Sequence, residues 1–147
     1  MSETKVQSLH GYYLEDLKPG MSAAFAKTVT EADICMFAGV SGDTNPVHLN
    51  QEFAAATPFG GRIAHGILTA SFVSAVIGTK LPGPGCIYVS QSLRFKAPVK
   101  AGDTVTATVT VRDIVAEKKR VVLDTVCTVA GKAVLDGEAV VLVSRRG

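Results

Sequence analysis

The 147-residue sequence predicts an α+β fold in which a curved antiparallel sheet wraps around one long buried helix. Three observations lead there. Residues 65–80 are apolar or small on nearly every side, and Gly66, Ile67, Leu68, Ala70, Phe72, Val73, Ala75, Val76 and Ile77 leave no charged face, the pattern of a helix buried all round. Residues 86–95, 104–117, 120–130 and 132–144 are rich in Val, Ile and Thr and are separated by short turns, as successive antiparallel strands require. Residues 22–29 alternate loosely and add one strand ahead of the helix.

The elements follow in order. Residues 1–12 read as a loose leader, with His10 exposed in it, and Leu17-Lys18-Pro19-Gly20 as a turn. Thr30 is a good N-cap for a short helix ending near Gly39, with Glu31 and Asp33 in its first turn where the helix dipole favours carboxylates. Asn50 can cap a second short helix over 51–56. Thr57-Pro58-Phe59-Gly60-Gly61 is a loop, and Leu81-Pro82-Gly83-Pro84-Gly85 stops the long helix.

Composition narrows the function classes. One domain, 1–147, is expected at this length, large enough to bury about 70% of its unfolded surface. The net charge is +2, and the basic clusters Lys118-Lys119-Arg120 and Arg145-Arg146 fall at a turn and a chain end, which argues against a nucleic-acid partner. The three cysteines, Cys35, Cys86 and Cys127, have neither metal nor disulfide spacing and fit thiols in a reducing compartment. The 63–77 stretch is short for a membrane span, which needs about 20 apolar residues, and it contains His65 and several hydroxyls. A soluble, cytoplasmic protein without a membrane partner is expected. The 47% hydrophobic content suits buried contacts in an oligomer.

The most informative segment is Asp43-Thr44-Asn45-Pro46-Val47-His48. Pro46 has no N–H and pushes Asn45 toward extended geometry, so the segment should be a stiff bend. Such a bend can aim a carboxylate and an imidazole at one water molecule, and both groups are suited to moving its proton. The alternative is a capped turn with a packed loop histidine.

The run 37–48, the block Arg62-Ile63-Ala64-His65-Gly66-Ile67-Leu68, the strand Ser92-Leu93-Arg94-Phe95-Lys96-Ala97-Pro98-Val99 and the pair Gly102-Asp103 resemble, in order and spacing, the MaoC-like (R)-specific enoyl-CoA hydratases. The resemblance covers roughly residues 17–143. It implies a hot-dog fold, a homodimer whose two sheets join side by side, and hydration of trans-2-enoyl-CoA to (R)-3-hydroxyacyl-CoA. It puts the catalytic pair on Asp43 and His48, the backbone N–H that grips the thioester carbonyl on Gly66, and an active-site serine on Ser74.

The residues suit that chemistry. Hydration requires a proton taken from water, a proton given to the α-carbon, and a donor for the negative oxygen. Asp43 and His48 meet the first two needs from one side, which means syn addition, with Asp43 favoured as base and His48 as its acid partner. Gly66 meets the third, because the first N–H groups of a helix lack internal partners and glycine lets a carbonyl approach closely. Its other reading is tight helix–sheet packing. His65 is assigned a structural role, as a cap or a bond to a backbone carbonyl; lining the site is its other reading. Ser74 lies about 12 Å further along the helix axis, so it is assigned, with Ile77, to the acyl pocket; orienting a catalytic side chain is the other reading of Ser74, and core packing that of Ile77. No cofactor and no metal are expected, the coenzyme A thioester being the substrate. Arg62, Lys96 and Lys100 are the candidate cations for its phosphates. A hot-dog thioesterase and a non-catalytic acyl-CoA-binding module are the competing functions.

Overall fold

Residues 5–147 are described by the structure, a computed structural model. Strand β1 (Ser22–Thr28) leads into helix α1 (Glu31–Ser41) through a reciprocal cap. The Asp33 N–H donates to Thr30 Oγ1 at 3.1 Å and the Thr30 N–H donates to the Asp33 carboxylate at 2.9 Å. The helix passes its expected end at Gly39 and runs to Ser41, because Gly42, at φ +82°, takes the left-handed stop. Two short helices follow, α2 (Pro46–Leu49) and α3 (Gln51–Ala55), capped by the Asn45 and Asn50 side chains. The expected bend is therefore partly one turn of helix. Pro46 holds its first position, where a missing N–H costs nothing.

Helix α4 (Gly66–Thr79) is the central helix. Leu68, Thr69, Phe72, Val73, Val76 and Ile77 are buried. It is not buried all round, however. Ile67 (55% exposed), Ser71, Ser74 and Gly78 lie on one open face. Small and uncharged residues fit a wholly enclosed helix and a helix with one uncovered side equally well, so hydropathy alone did not separate the two.

The remaining strands are β2 (Ile87–Gln91), β3 (Arg94–Phe95), β4 (Thr104–Val115), β5 (Arg120–Val129) and β6 (Lys132–Leu142). The six-stranded sheet runs β1-β4-β5-β6-β2, with β3 also on β6, and every pairing is antiparallel. This is the hot-dog arrangement. The single strand expected over 86–95 is broken at Ser92 and Leu93. There the Ser92 carbonyl oxygen sits where a Cβ on Gly137 would be, and only glycine on β6 admits the kink. Ser92 stays fastened to β6 on both sides of it. Its N–H donates to the Glu138 carbonyl at 2.9 Å, and its Oγ accepts from the Glu138 N–H at 3.0 Å.

The core lies between α4 and the inner face of the sheet. Val105, Ala107, Val109 and Val111 alternate inward from β4, and Val121, Leu123, Thr125 and Cys127 from β5. Each buried Val, Leu, Ile or Phe contributes about 1.5–3 kcal/mol, so this layer fixes where the tip of α4 sits. The leader is tied down earlier than expected. Gly11 and Tyr12 donate to the Pro84 and Pro82 carbonyls, each at 2.8 Å. His10 is half-buried rather than exposed, and it stacks on Tyr13 with ring centroids 4.0 Å apart. Residues 1–4 of the expected leader lie outside the described residues. The cysteines are unpaired, Cys35 exposed, Cys86 half-buried and Cys127 buried. Among the described residues no helix is long and apolar enough to cross a membrane.

Candidate active site

Two successive side-chain turns aim Asp43. Its N–H donates to Ser41 Oγ at 3.1 Å, and its Oδ1 accepts from the Asn45 N–H at 3.3 Å. That local bond leaves Oδ2 turned toward His48, with Nε2 3.9 Å away. Half of the Asp43 side chain is open to solvent, whereas His48 is 7% exposed. His48 stands on α2 with Nδ1 2.8 Å from the Ile63 carbonyl oxygen. A carbonyl only accepts, so Nδ1 carries a hydrogen, and whenever the ring is neutral Nε2 is the acceptor that faces the carboxylate. At 3.9 Å the two do not bond directly. An oxygen about 2.8 Å from each fits between them.

His65, the residue before α4, is 1% exposed and stacks on His48 with centroids 3.8 Å apart. Its Nε2 donates to the Asp43 backbone carbonyl at 2.9 Å. Its Nδ1 is buried and has no partner among the described residues, as is Thr69 Oγ1 one turn along. The sequence expectation of a bond to a backbone carbonyl is met here, although it ties His65 to the segment carrying Asp43 and His48 rather than to its own helix.

Gly66 opens α4, so its N–H has no intrahelical acceptor and lies at the positive end of the helix dipole. Asp43, His65 and Gly66 share the wall of one cleft of about 400 Å3, completed by Phe59, Ile67, Thr69, Phe95 and Val134 among others. His48 is not itself part of this wall, its Nε2 lying 3.9 Å from the Asp43 carboxylate. Phe95, 55% exposed on β3, lies over Gly66 so closely that a Cβ there would fall 2.6 Å from the ring. Sequence reasoning missed Phe95. The available signal was its place in a block resembling the hydratases, three residues before Pro98.

Ser74 and Ile77 do not reach this cleft. Ile77 is 1% exposed in the core, and Ser74 lies on the open face of α4. About two turns of helix carry Ser74 away from the tip and about three carry Ile77, so neither lines the wall that Gly66 shares. The candidate phosphate cations are already engaged. Arg62 pairs with Glu31 at 2.6 Å, Lys96 with Asp136 at 2.7 Å, and Lys100 Nζ lies 3.4 Å from the Phe59 carbonyl oxygen. Of the three, only Lys96 lines the cleft. One ligating atom each from Asp43, His48 and His65 fall within 4.8 Å of one another, so these are the described residues that could hold a divalent cation. A cation there would occupy the same Nε2 and carboxylate that face each other.

A family model for the MaoC like domain matches residues 16–134. This chain belongs to the MaoC-like family. It is 62% identical to an (R)-specific enoyl-CoA hydratase of Rhodospirillum rubrum, over 92% of this chain and 94% of that protein. It is 48% identical to a 3-hydroxybutyryl-CoA dehydratase of Methylorubrum extorquens, over 91% and 85% respectively. Among solved structures, the (R)-hydratase from A. caviae involved in PHA biosynthesis superposes with a TM-score of 0.85 at 42% identity, covering 88% of this chain and 98% of that one. In this MaoC-like chain a carboxylate and a helix-tip N–H thus share one cleft wall, with the His48 imidazole 3.9 Å from that carboxylate.

Proposed function

We infer that this chain is a hydro-lyase, an (R)-specific enoyl-CoA hydratase that adds water to trans-2-enoyl-CoA and, in reverse, dehydrates (R)-3-hydroxyacyl-CoA. One observation carries the reading: Asp43 Oδ2 faces His48 Nε2 across 3.9 Å, and Asp43 shares a cleft wall with Gly66 at the tip of α4. The curated relatives, named as hydratase and dehydratase, favour it over a thioesterase. The (R) configuration is carried over from the Rhodospirillum relative.

In this mechanism a water donates its two hydrogens to His48 Nε2 and the Asp43 carboxylate, leaving a lone pair free to attack the β-carbon. The pair takes one proton as the C–O bond forms, and the same pair returns one proton to the α-carbon, so its charge is unchanged over the cycle. Negative charge gathers meanwhile on the thioester oxygen, where the Gly66 N–H receives it. Acid, base and oxyanion donor all come from the chain, so the reaction as written calls on no cofactor and no metal beyond the coenzyme A of its substrate. With His48 Nδ1 bonded to the Ile63 carbonyl, its Nε2 and the Asp43 carboxylate both face the water, and base and acid are written here as one coupled pair. Residues 1–147 are read as one MaoC-like domain acting in the cytoplasm.

The assembly proposed is a homodimer joined along β2. This strand is at the edge of the sheet, and its residues Ile87 (61% exposed), Tyr88 and Val89 are open to solvent next to the open face of α4. Such an edge invites a second copy of the chain. Hydration of crotonyl-CoA, followed by loss of the enoyl thioester absorbance, tests the function. Asp43→Asn and His48→Gln should each lower kcat about 10²-fold or more. Folded variants with unchanged rates would refute it.

A further inference from the structure

We propose that His65 is a positioning residue for this reaction, holding the segment that carries Asp43 and His48 in register with the Gly66 N–H. The proposal rests on the hydratase reading above. His65 lies between Phe37, whose centroid is 4.8 Å away, and His48, at 3.8 Å. Its Nε2–H is spent on the Asp43 carbonyl at 2.9 Å. Phe37 belongs to α1, Asp43 to the turn after it and His48 to α2, so one side chain touches three successive pieces of the same segment. His65 is also the N-cap residue of α4, the immediate neighbour of Gly66.

A purely structural histidine would use its second nitrogen or would be replaceable by any apolar ring. Here Nδ1 is buried without a partner among the described residues, and an orphaned buried acceptor is unfavourable. The ring is thus retained for the nitrogen that holds Asp43, at a cost in packing that an apolar side chain would avoid. Without the bond, the Asp43 backbone is held by its own local turns alone, and the carboxylate is free to drift relative to the helix tip. A misplacement of about 1 Å between reacting groups costs on the order of 10²-fold in rate.

Two substitutions separate the hydrogen bond from the ring. His65→Gln places an amide N–H near the original Nε2 and loses the stacking; His65→Phe keeps a ring and loses the donor. Both are measured as purified protein with crotonyl-CoA, alongside thermal melting and gel filtration. His65→Phe should lose about 10- to 100-fold in kcat with KM changed less than about threefold, while His65→Gln recovers kcat to within about fivefold of wild type. Wild-type kcat in folded His65→Phe, or an equal loss in both variants, overturns the proposal. Should His65→Phe fail to fold, His65→Gln decides alone: a loss beyond about tenfold overturns the assignment and a smaller one upholds it. A chain that does not hydrate crotonyl-CoA even as wild type would instead refute the parent reading.

Discussion

Replacing Gly66 with alanine should separate activity from stability. A Cβ at this position would lie 2.6 Å from Phe95 Cε1 and 2.8 Å from Cδ1. Carbon–carbon contacts sit near 3.5–4.0 Å, so the ring must retreat by about 1 Å. It can do so cheaply: Phe95 is 55% exposed, and a modest departure from its rotamer costs about 0.5–1.5 kcal/mol. Gly66 does not have a positive φ, and alanine favours helix over glycine by up to about 1 kcal/mol. The two effects nearly cancel, which leaves the melting temperature within about 5 °C of wild type. The new methyl and the displaced ring nevertheless occupy the approach to the N–H. Loss of one well-placed oxyanion donor costs about 3 kcal/mol, or roughly 10²-fold in kcat/KM. Crotonyl-CoA hydration and thermal melting on the same preparation measure both quantities. A stable Gly66→Ala variant with undiminished kcat/KM would refute the role assigned to this amide.

Three further outcomes follow from other parts of the molecule. Gly137→Ala should destabilise the fold by about 2–4 kcal/mol in urea titrations, because the obstructing atom is the Ser92 backbone oxygen rather than a mobile ring; a change under about 1 kcal/mol would contradict the kink as described. Three carboxyls are held below the usual carboxylate range: Asp16 chiefly by Arg146, Asp33 by the Thr30 N–H and then Lys27, and Asp136 by Lys96 and then Arg94. A lowered folded value means stability that is present above the unfolded value of 3.8 and lost as pH falls through the folded ones, so the urea midpoint should drop between pH 5 and pH 3 (an approximate window) and Asp136→Asn should flatten that drop. Burial pushes the Cys127 thiol up to about 12 and raises Cys86 as well, while Cys35 is exposed; a disulfide reagent at mildly alkaline pH should therefore react rapidly with Cys35 and reach Cys127 only after denaturant is added, and rapid labelling of Cys127 in the native protein would contradict its placement.

The sequence made some of this legible because the physics is local. Pro46 forces the bend and Thr30 with Asp33 forms a cap, whatever the remainder of the chain does. The central helix could be read from an absence of charge. Other features depend on distant partners. The break between β2 and β3 is caused by Gly137, on another strand. The end of α1 at Gly42 rather than Gly39 depends on which glycine adopts positive φ. The contacts of His65 reach back to Phe37 and Asp43, so a reading confined to neighbours names a backbone carbonyl as its partner without saying which one. The open face of α4 and the removal of Ile77 into the core are matters of what covers each side, which periodicity alone does not specify.

The kink at Ser92 has a consequence for how substrate range can change. Phe95, which roofs the cleft over Gly66, sits on a two-residue strand clamped to β6, and the chain before it is anchored through Glu138. The roof is consequently part of the sheet rather than a hinged flap. Widening or narrowing the cleft then falls to the size of the side chain at 95, not to the length of a loop.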